Sequence, residues 1–543
     1  MLITEIPAVY DNTCTVGGRA EDTFPDLQAA LAAAGENRLR GKSTRILVRG
    51  GVYRAPVRFD GAAFDTGGET PFIAVEAMPG ERPVFSGAVP VEGWRLDAEE
   101  RVWRAQLPKE ARYALTHRDG EAFTQDWGER AWCNSGVHNP GGMFYNGMLT
   151  FGGALYSPVP GRTRFVPGTF LLDLDAGTIT VSPLAGELAA PAVGELAAKT
   201  SPVVLENLRN MVLRGLHVTG CGWALTAAMV IEGAENIWMD QCSVNRNRYC
   251  GLQTNKVRHC LFTNLDMIEN GAVGGGGSWR GYIRSCTYRG LVVAGNNWIE
   301  EKFGWTDYDP CGLKWAAMRD VLVESCVFSA NRGEGLWFDT ENRRVTVRNC
   351  RFINNLNAGI MLEANMGPFL IADCEMAGNN KGVFFAATND VTLERCHIHW
   401  NKFAIDIYDH SSRPDRAHGR GPHPERSADF PSIDDGGIWE SHTVNTVVRD
   451  CRVEAHPRYN FPFYTHNTYS EGWRNDETGY RNFVATLQAS GNAYCTAKPA
   501  QAFLLNSTQT GALEEWQLVS GADQGSVLSG FEKQGAPPSP EPL

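Results

Sequence analysis

Two carboxylates in the middle of the chain, Asp339 and Glu363, occupy matching places in two similar segments. GLWFD ends at Asp339, and GIMLE ends at Glu363, 24 residues later. Two carboxyl groups held close together can share the work of nucleophilic and acid–base catalysis, since repulsion between like charges favours a proton on one of them. Their separation in space depends on the elements that carry them.

A short repeat runs through this part of the chain. Cysteines occur at steps of 24, 24 and 22 residues, and an asparagine follows each of them five residues later. The pairs are Cys326 with Asn331, Cys350 with Asn355, Cys374 with Asn379, and Cys396 with Asn401. Each repeat holds three short alternating segments separated by polar corners, which is typical of a parallel β-helix. We therefore predict an all-β solenoid of about nine or ten turns over residues 200–460, stacked ~4.8 Å apart.

The repeated cysteines and asparagines have structural interpretations. A small apolar thiol packs well inside a narrow coil, and a column of asparagines can satisfy backbone groups at a corner. In-line thiols could instead pair or bind a metal, but the chain has no CxxC, and HIH at 397–399 is an isolated pair. We predict interior packing, with no metal and no cofactor.

Composition excludes several classes of partner. The net charge of −12 argues against nucleic acid and anionic membrane surfaces as partners. No run of 18 apolar residues is present, so no membrane span is expected. The first residues lack the basic and apolar regions of a signal peptide, and the 14 cysteines require no disulfides, so a cytoplasmic location is expected. The alternative is a secreted protein from which the signal peptide has been removed.

The chain divides into four predicted segments. Residues 1–85 contain an N-terminal capping helix at 24–35, preceded by Asp22-Thr23 as its cap, and the first coils. Residues 86–200 lose the repeat and contain a hairpin around 175–177, which predicts a β-rich insertion. The main coil occupies 201–460, with a loop insertion at 409–442, and 461–543 holds C-terminal coils, a cap and a disordered tail.

The repeat places the two carboxylates on one face. Alternation along a strand points Trp337 and Asp339 outward, and it points Glu363 outward in the next turn. Asp339 and Glu363 then become vertical neighbours about 5 Å apart, the separation typical of retaining glycosidases. The alternative is an ordinary solvated acidic pair on a sheet surface.

Other residues near this face favour a carbohydrate site. Lys314 is predicted to lie over Trp337 on the outer face, and exposed aromatic side chains beside carboxylates are common in sugar-binding sites. The candidate pocket walls are Trp298, Trp305, Tyr308, Trp315 and Trp337. Asp309 is a candidate third acid, Asn342 and Asn365 either bind sugar hydroxyls or cap corners, and His410 opens a segment that is either a pocket wall or a disordered insertion.

These residues resemble those of bacterial right-handed β-helix glycoside hydrolases. The similarity is to the β-xylosidase family built on this fold and to the related β-helix family of fucosidases and xylanases; it covers about 1–460 and includes AMPGERPVFSG at 77–87. The resemblance implies a right-handed coil, Asp339 as nucleophile, Glu363 as acid/base and Asp309 as a further acid. The chain departs from many relatives at two places: it has Cys311-Gly312 where they have Gly-Gly, and an aspartate where they have the upstream glutamate. The resemblance therefore does not identify the sugar that the protein would bind.

Three functions are therefore compared. The first is a glycoside hydrolase, retaining by the separation argument above, that acts on a plant or microbial oligo- or polysaccharide. A polysaccharide lyase or epimerase would use Lys314, Arg332 or histidines of 410–442 on a uronate polymer. A non-catalytic carbohydrate-binding rod would need no convergent pocket at Asp339 and Glu363. The order of motifs excludes a polygalacturonase, because Asp434-Asp435 and His418-Gly419 fall in a loop in the wrong order.

Overall fold

A computed structural model shows that the chain folds as a parallel β-helix, as the repeat predicts. The structure describes residues 7–65, 67–68, 70–118, 121–122, 146–159, 161–184, 193–277, 282–299, 310–409, 442–467 and 477–530. Three parallel sheets run along the coil, and a full turn adds one strand to each of them. Within these ranges no helix is long and apolar enough to cross a membrane.

The strands of the coil belong to three sheets, named in the order in which the chain visits them. The first sheet contains Asn12–Val16, Thr44–Val48, Ile73–Ala77, Arg209–Arg214, Glu235–Asp240, Val257–Arg258, Leu261–Thr263, Ile283–Arg284, Thr287–Arg289, Met318–Glu324, Arg343–Arg348, Phe369–Ala372, Val391–Glu394, Val447–Arg449 and Gln488–Ser490. The second sheet contains Gly51–Tyr53, Pro83–Ser86, His217–Thr219, Ser243–Asn245, Asp266–Ile268, Val292–Ala294, Val327–Ser329, Arg351–Ile353, Glu375–Ala377, His397–His399, Arg452–Glu454, Ala493–Thr496 and Val527–Gly530. The third sheet contains Val57–Asp60, Val203–Glu206, Ala227–Glu232, Cys250–Asn255, Val273–Gly277, Cys311–Trp315, Glu334–Phe338, Ala358–Asn365, Lys381–Thr388, Phe403–Tyr408 and Tyr464–His466.

Residues of equal phase stack directly on one another. In the third sheet Leu313 pairs with Leu336, Leu336 with Ile360, and Ile360 with Val383. All of these side chains are buried in one continuous core inside the coil. Register is well specified because a slip of one residue would turn an apolar column toward the outer face.

The asparagine column is confirmed as a hydrogen-bonded ladder. Asn331 donates through Nδ2 to Oδ1 of Asn355 at 2.9 Å, and Asn355 donates to Asn379 at 3.0 Å. The same Asn355 Nδ2 also donates to the carbonyl oxygen of Phe328, and its Oδ1 accepts from the backbone N–H of Asn331. Each asparagine thus satisfies backbone groups that the corner would leave buried and unpaired.

The cysteines line the interior, as predicted. Cys326, Cys350, Cys374 and Cys396 are at most 2% exposed and belong to the core. All 13 cysteines that the structure describes are free thiols. Sulfur contacts with neighbouring rungs, together with burial, raise the pKa values of Cys374 and Cys396, which keeps these thiols neutral and unreactive.

Both ends of the coil carry helices. Helix α1 (Leu27–Leu39) covers the first turns, and its N-cap is Asp26, whose side chain accepts from the N–H of Ala29 at 2.8 Å. The cap is therefore Asp26 and not Asp22-Thr23, because the chain stays extended through Phe24, which bridges to Val16. Helices α3 (Glu477–Thr486) and α4 (Leu513–Ser520) lie at the other end.

An eight-stranded, mostly antiparallel sheet interrupts the coil between the first turns and the rest. Its strands are Ala88–Val91, Arg95–Asp97, Val102–Gln106, Met148–Phe151, Ala154–Pro158, Thr169–Asp173, Thr178–Ser182 and Gly194–Ala197. The hairpin predicted around 175–177 is present between its sixth and seventh strands. Helix α2 (Lys109–Thr116) and the strand pair His117–Arg118 and Glu121–Ala122 follow Gln106, and a second small pair, Phe503–Leu504 and Thr510–Gly511, lies near the C-terminal end.

Candidate active site

The candidate site lies on the outer face of the third sheet, where buried charges lie on or directly after four of five consecutive strands. The charged residues are Lys314, Glu334, Asp339, Lys381 and Asp406, and each is at most 9% exposed. Charges are rarely removed from water unless they are paired, because their desolvation costs several kcal/mol per ion. Such a cluster on the outside of a coil is therefore a feature that needs a structural or functional explanation.

The register brings Asp339 and Glu363 into adjacent turns at equal phase. Phe338 pairs with Leu362, and the two acids follow directly after these partners. The N–H of Asp339 donates to the carbonyl oxygen of Trp315 at 2.8 Å, which extends the ladder past the end of the strand. The predicted vertical neighbours are thus neighbours in the fold.

Asp339 is surrounded by donors. Its Oδ1 accepts from the backbone N–H of Thr340 at 2.7 Å and from the Thr340 hydroxyl at 2.8 Å. Its Oδ2 lies 3.4 Å from Nζ of Lys314, whose side chain is 4% exposed. Three donors compensate the negative charge of this carboxylate, so it is well prepared to act as an anion.

Trp337 joins the two halves of the site. The Lys314 ammonium lies 3.5 Å from the centroid of the Trp337 ring, a cation–π contact. On the other side, the Trp337 indole N–H donates to Oε2 of Glu363 at 3.1 Å. One side chain therefore holds the lysine that faces Asp339 and orients the carboxyl of Glu363.

A second lysine–aspartate pair lies three turns beyond Lys314. Lys381 Nζ is 3.2 Å from Oδ2 of Asp406 and 3.7 Å from the ring centroid of Phe384. The Thr465 hydroxyl donates to Asp406 Oδ1 at 2.7 Å. This unit has the same composition as the first, a lysine over an aromatic ring beside an aspartate, and sequence reasoning did not find it.

Glu334 is a further acid that the sequence did not reveal. Simple alternation would put it inside the coil with Leu336, but the column of glycines at Gly335 shifts the phase. A Cβ on Gly335 would lie 2.6 Å from the carbonyl oxygen of Gly359 and 2.8 Å from Asn355 Nδ2, so only glycine fits there. Burial raises the pKa of Glu334 to about 7.

Three predicted site residues are placed elsewhere. Trp315 is 2% exposed inside the core, with its ring centroid 4.4 Å from that of Tyr288, because it follows the outward Lys314 and alternation turns it inward. Asn342 and Asn365 are fully buried and form a second corner ladder, in which Asn342 Nδ2 donates to Asn365 Oδ1 at 2.8 Å. Two roles were considered for these asparagines, and the structure shows that they cap a corner of the coil and do not face the candidate site.

Other predicted residues lie outside the described ranges. These are Asp309, Trp305 and Tyr308, together with His410 and nearly all of the 409–442 segment. Trp298 is described and half-buried, and its indole N–H donates to the carbonyl oxygen of Glu269 at 3.0 Å. Among the described residues, no group of three or more His, Cys, Asp or Glu side chains is arranged to hold a metal ion.

Comparison with known proteins defines the fold class. A family model described as right handed beta helix region matches residues 283–469. No curated protein sequence matches the chain significantly. The site described above therefore belongs to a protein with a right-handed parallel β-helix, the fold class and handedness that the sequence predicts.

Solved structures of low sequence identity are also similar. A complex of XylC with xylose is 14% identical, with a TM-score of 0.54 and coverage of 97% of this chain and 87% of the other. A glycoside hydrolase is 12% identical, with a TM-score of 0.46 and coverage of 89% and 96%. The A-module of mannuronan C-5 epimerase AlgE4 from Azotobacter vinelandii is 11% identical, with a TM-score of 0.40 and coverage of 95% and 100%. The likeness to XylC shows a shared fold.

Proposed function

We propose that the protein is a retaining glycoside hydrolase. The observation that carries this proposal is the connected group Lys314, Trp337, Asp339 and Glu363, in which two carboxyl groups at equal phase in adjacent turns have different surroundings. Different surroundings are what two carboxyl groups need if one is to act as an anion and the other is to carry a proton.

Asp339 is the proposed nucleophile. Its Oδ1 is held by Thr340, so the carboxylate is fixed in orientation, and Lys314 compensates its charge until a substrate arrives. The carboxylate attacks the anomeric carbon while the bond to the leaving oxygen breaks, and the ester that forms is opened by water in a second step.

Glu363 is the proposed acid/base. It is partly exposed and follows Leu362 directly, so its carboxyl group faces the same side as Asp339. It gives its proton to the leaving oxygen in the first step and takes a proton from the attacking water in the second. Strands of adjacent turns are about 5 Å apart, and a similar separation of the two carboxyl groups is the basis for proposing retention rather than inversion.

The decisive experiment measures hydrolysis of aryl glycosides of xylose, fucose, arabinose, galactose and glucose. Xylosides come first, since the solved complex of XylC holds xylose. We expect Asp339→Asn to lose at least about a thousandfold in kcat/KM and Glu363→Gln about a hundredfold or more. The loss in Glu363→Gln should be greater for a poor leaving group, because only a poor leaving group needs the proton.

The matched control is Glu206→Gln, an exposed acid on the same sheet several turns away. It should keep the wild-type rate. Full activity in both Asp339→Asn and Glu363→Gln would exclude the proposal, and proton NMR showing an inverted first product would exclude the retaining mechanism.

A second candidate is elimination or epimerisation at a uronate, and it is supported by the two buried lysines on the same face. Both lysines are already close to aspartates, at 3.4 Å and 3.2 Å, so their charge is compensated. This makes a polyanionic substrate the weaker choice. Formation of an unsaturated, ultraviolet-absorbing product from uronate polymers, with no hydrolysis of any glycoside, would favour it.

A further inference from the structure

Glu334 occupies an unusual place beside the proposed catalytic pair. It is 3% exposed, and its Oε1 accepts a hydrogen bond from Nδ2 of Asn357. Its Oε2 has no hydrogen-bond partner among the residues that the structure describes. A buried carboxyl oxygen without a donor is costly when ionised, which favours the protonated form.

The groups facing Glu334 come from three strands. Cys311 is its register partner on the preceding strand, which also carries Lys314. Asn357 precedes the following strand, and Lys381 begins the one after that. The two ammonium groups both lower the pKa of Glu334, although burial outweighs them.

Five buried groups of both signs therefore share this face: Asp339, Lys314, Glu334, Lys381 and Asp406. Each lysine lies near one aspartate, at 3.4 Å and 3.2 Å, and the two strands that carry the lysines lie on either side of the strand of Glu334. A change of charge on Glu334 thus alters the surroundings of Lys314, the lysine that compensates Asp339.

We propose that Glu334 is a positioning residue that acts on Asp339 through Lys314, by gaining or losing a proton. This inference rests on the proposed role of Asp339 as nucleophile. With Glu334 neutral, Asp339 does not compete with Glu334 for the charge of Lys314. With Glu334 ionised, two carboxylates share the ammonium, so Asp339 is less neutralised and attacks more readily.

The protonation change falls near neutral pH. Burial raises the pKa of Glu334 to about 7, so both forms are populated under ordinary conditions. The ratio of wild-type kcat/KM to that of Glu334→Gln should rise roughly threefold or more between about pH 5.5 and about pH 8.5, because the glutamine stays neutral throughout. The control Glu206→Gln should follow the wild-type profile. A constant ratio would overturn the inference if glycosides are cleaved.

A second readout does not require catalysis. The Trp337 ring lies 3.5 Å from Lys314 Nζ, so the ¹⁹F resonance of fluorotryptophan at this position, assigned with Trp337→Phe, reports on the ammonium. We expect this resonance to titrate near pH 7 in the wild type and to stay constant in Glu334→Gln. Because Glu363 also contacts the indole, the titration must persist in Glu363→Gln.

The outcomes separate the two proposals. A titration that disappears in Glu334→Gln supports the coupling even if no glycoside is cleaved, in which case only the proposed function fails. Absence of any titration near neutral pH in the wild type overturns the coupling, whatever the activity. If Glu334→Gln does not fold, Asn357→Ala serves instead: loss of its hydrogen bond to Oε1 should move the midpoint to higher pH, and an unmoved midpoint would contradict the assignment.

Discussion

At the scale of single residues, Trp337 is the side chain on which the site depends. Its ring supports Lys314 and its N–H orients Glu363, so it holds together two groups that come from different turns. A tryptophan can do both because it has an extended π face and a donor at its edge. Phenylalanine has a π face but no N–H donor. Replacing Trp337 by phenylalanine therefore separates the contact with Lys314 from the hydrogen bond to Glu363.

Trp337→Phe should lower kcat/KM about tenfold to a hundredfold without unfolding the protein, since the loss of the donor leaves Glu363 less well oriented. Rates on the best glycoside and thermal melting would be measured together. The control is Trp238→Phe on the first sheet, where the indole N–H donates to Thr263 at 2.9 Å and Arg214 lies 4.5 Å from the ring centroid. That variant loses the same kind of contacts and should keep full activity; equal losses in both variants would contradict the role of Trp337.

At the scale of structural elements, the corners position the site. The asparagine ladder fixes the turns that lead into Glu334–Phe338, Ala358–Asn365 and Lys381–Thr388, and Gly335 and its stacked equivalents let neighbouring strands approach closely. The second ladder, Asn342 with Asn365, fixes the chain directly after Asp339 and Glu363. The two acids therefore lie on strands that are held at both ends.

Asn355→Ala should destabilise the protein by about 2–4 kcal/mol, because it leaves the N–H of Asn331 and the carbonyl oxygen of Phe328 buried without their partner. Urea unfolding would measure the loss. Asn482→Ala, an exposed position within helix α3, is the control and should change stability by less than about 0.5 kcal/mol. A ladder variant as stable as this control would show that the column is dispensable.

At the scale of the whole molecule, rows of ion pairs run along the outer surface of the first sheet. Glu324 lies between Arg289 and Arg348, and Glu394 lies between Arg395 and Arg449. Burial raises the pKa of Glu324, but hydrogen bonds from Arg348 and Arg289 outweigh it and hold the pKa below its ordinary value of 4.5. For Glu394, the hydrogen bond from Arg449 is the largest cause of a lowered pKa.

These shifts predict the sign of the acid response. Folded-state pKa values below the unfolded values mean that the stabilisation is complete above about pH 4.5 and is lost as pH falls through the folded values. Urea midpoints should therefore fall on acidification below that pH, and less steeply in Arg449→Gln, which removes the main partner of Glu394. Because the arginines of these pairs are about half exposed, added salt should reduce the difference. An acid response unchanged in Arg449→Gln would contradict this origin.

Much of the fold could be predicted because a solenoid is specified by local periodicity. The spacing of Cys326 and Cys350 predicts the turn length, and the same count places Asp339 and Glu363 at equal phase. The placement of Lys314 over Trp337 also follows from this count and is confirmed. The N-cap of α1 was misplaced by a few residues, because an aspartate at either position has the same local capping ability.

The sequence by itself determined the repeat, the three sheets and the neighbouring positions of Asp339 and Glu363, since each depends on the chain distance between residues of equal phase. Only the tertiary structure decided which polar groups become buried on the outer face. Glu334 turns outward because a column of glycines shifts the alternation, and Lys381 meets Asp406 because separate turns stack in register. Periodicity is a local property of the chain, whereas the burial and pairing of these charges arise from contacts between turns.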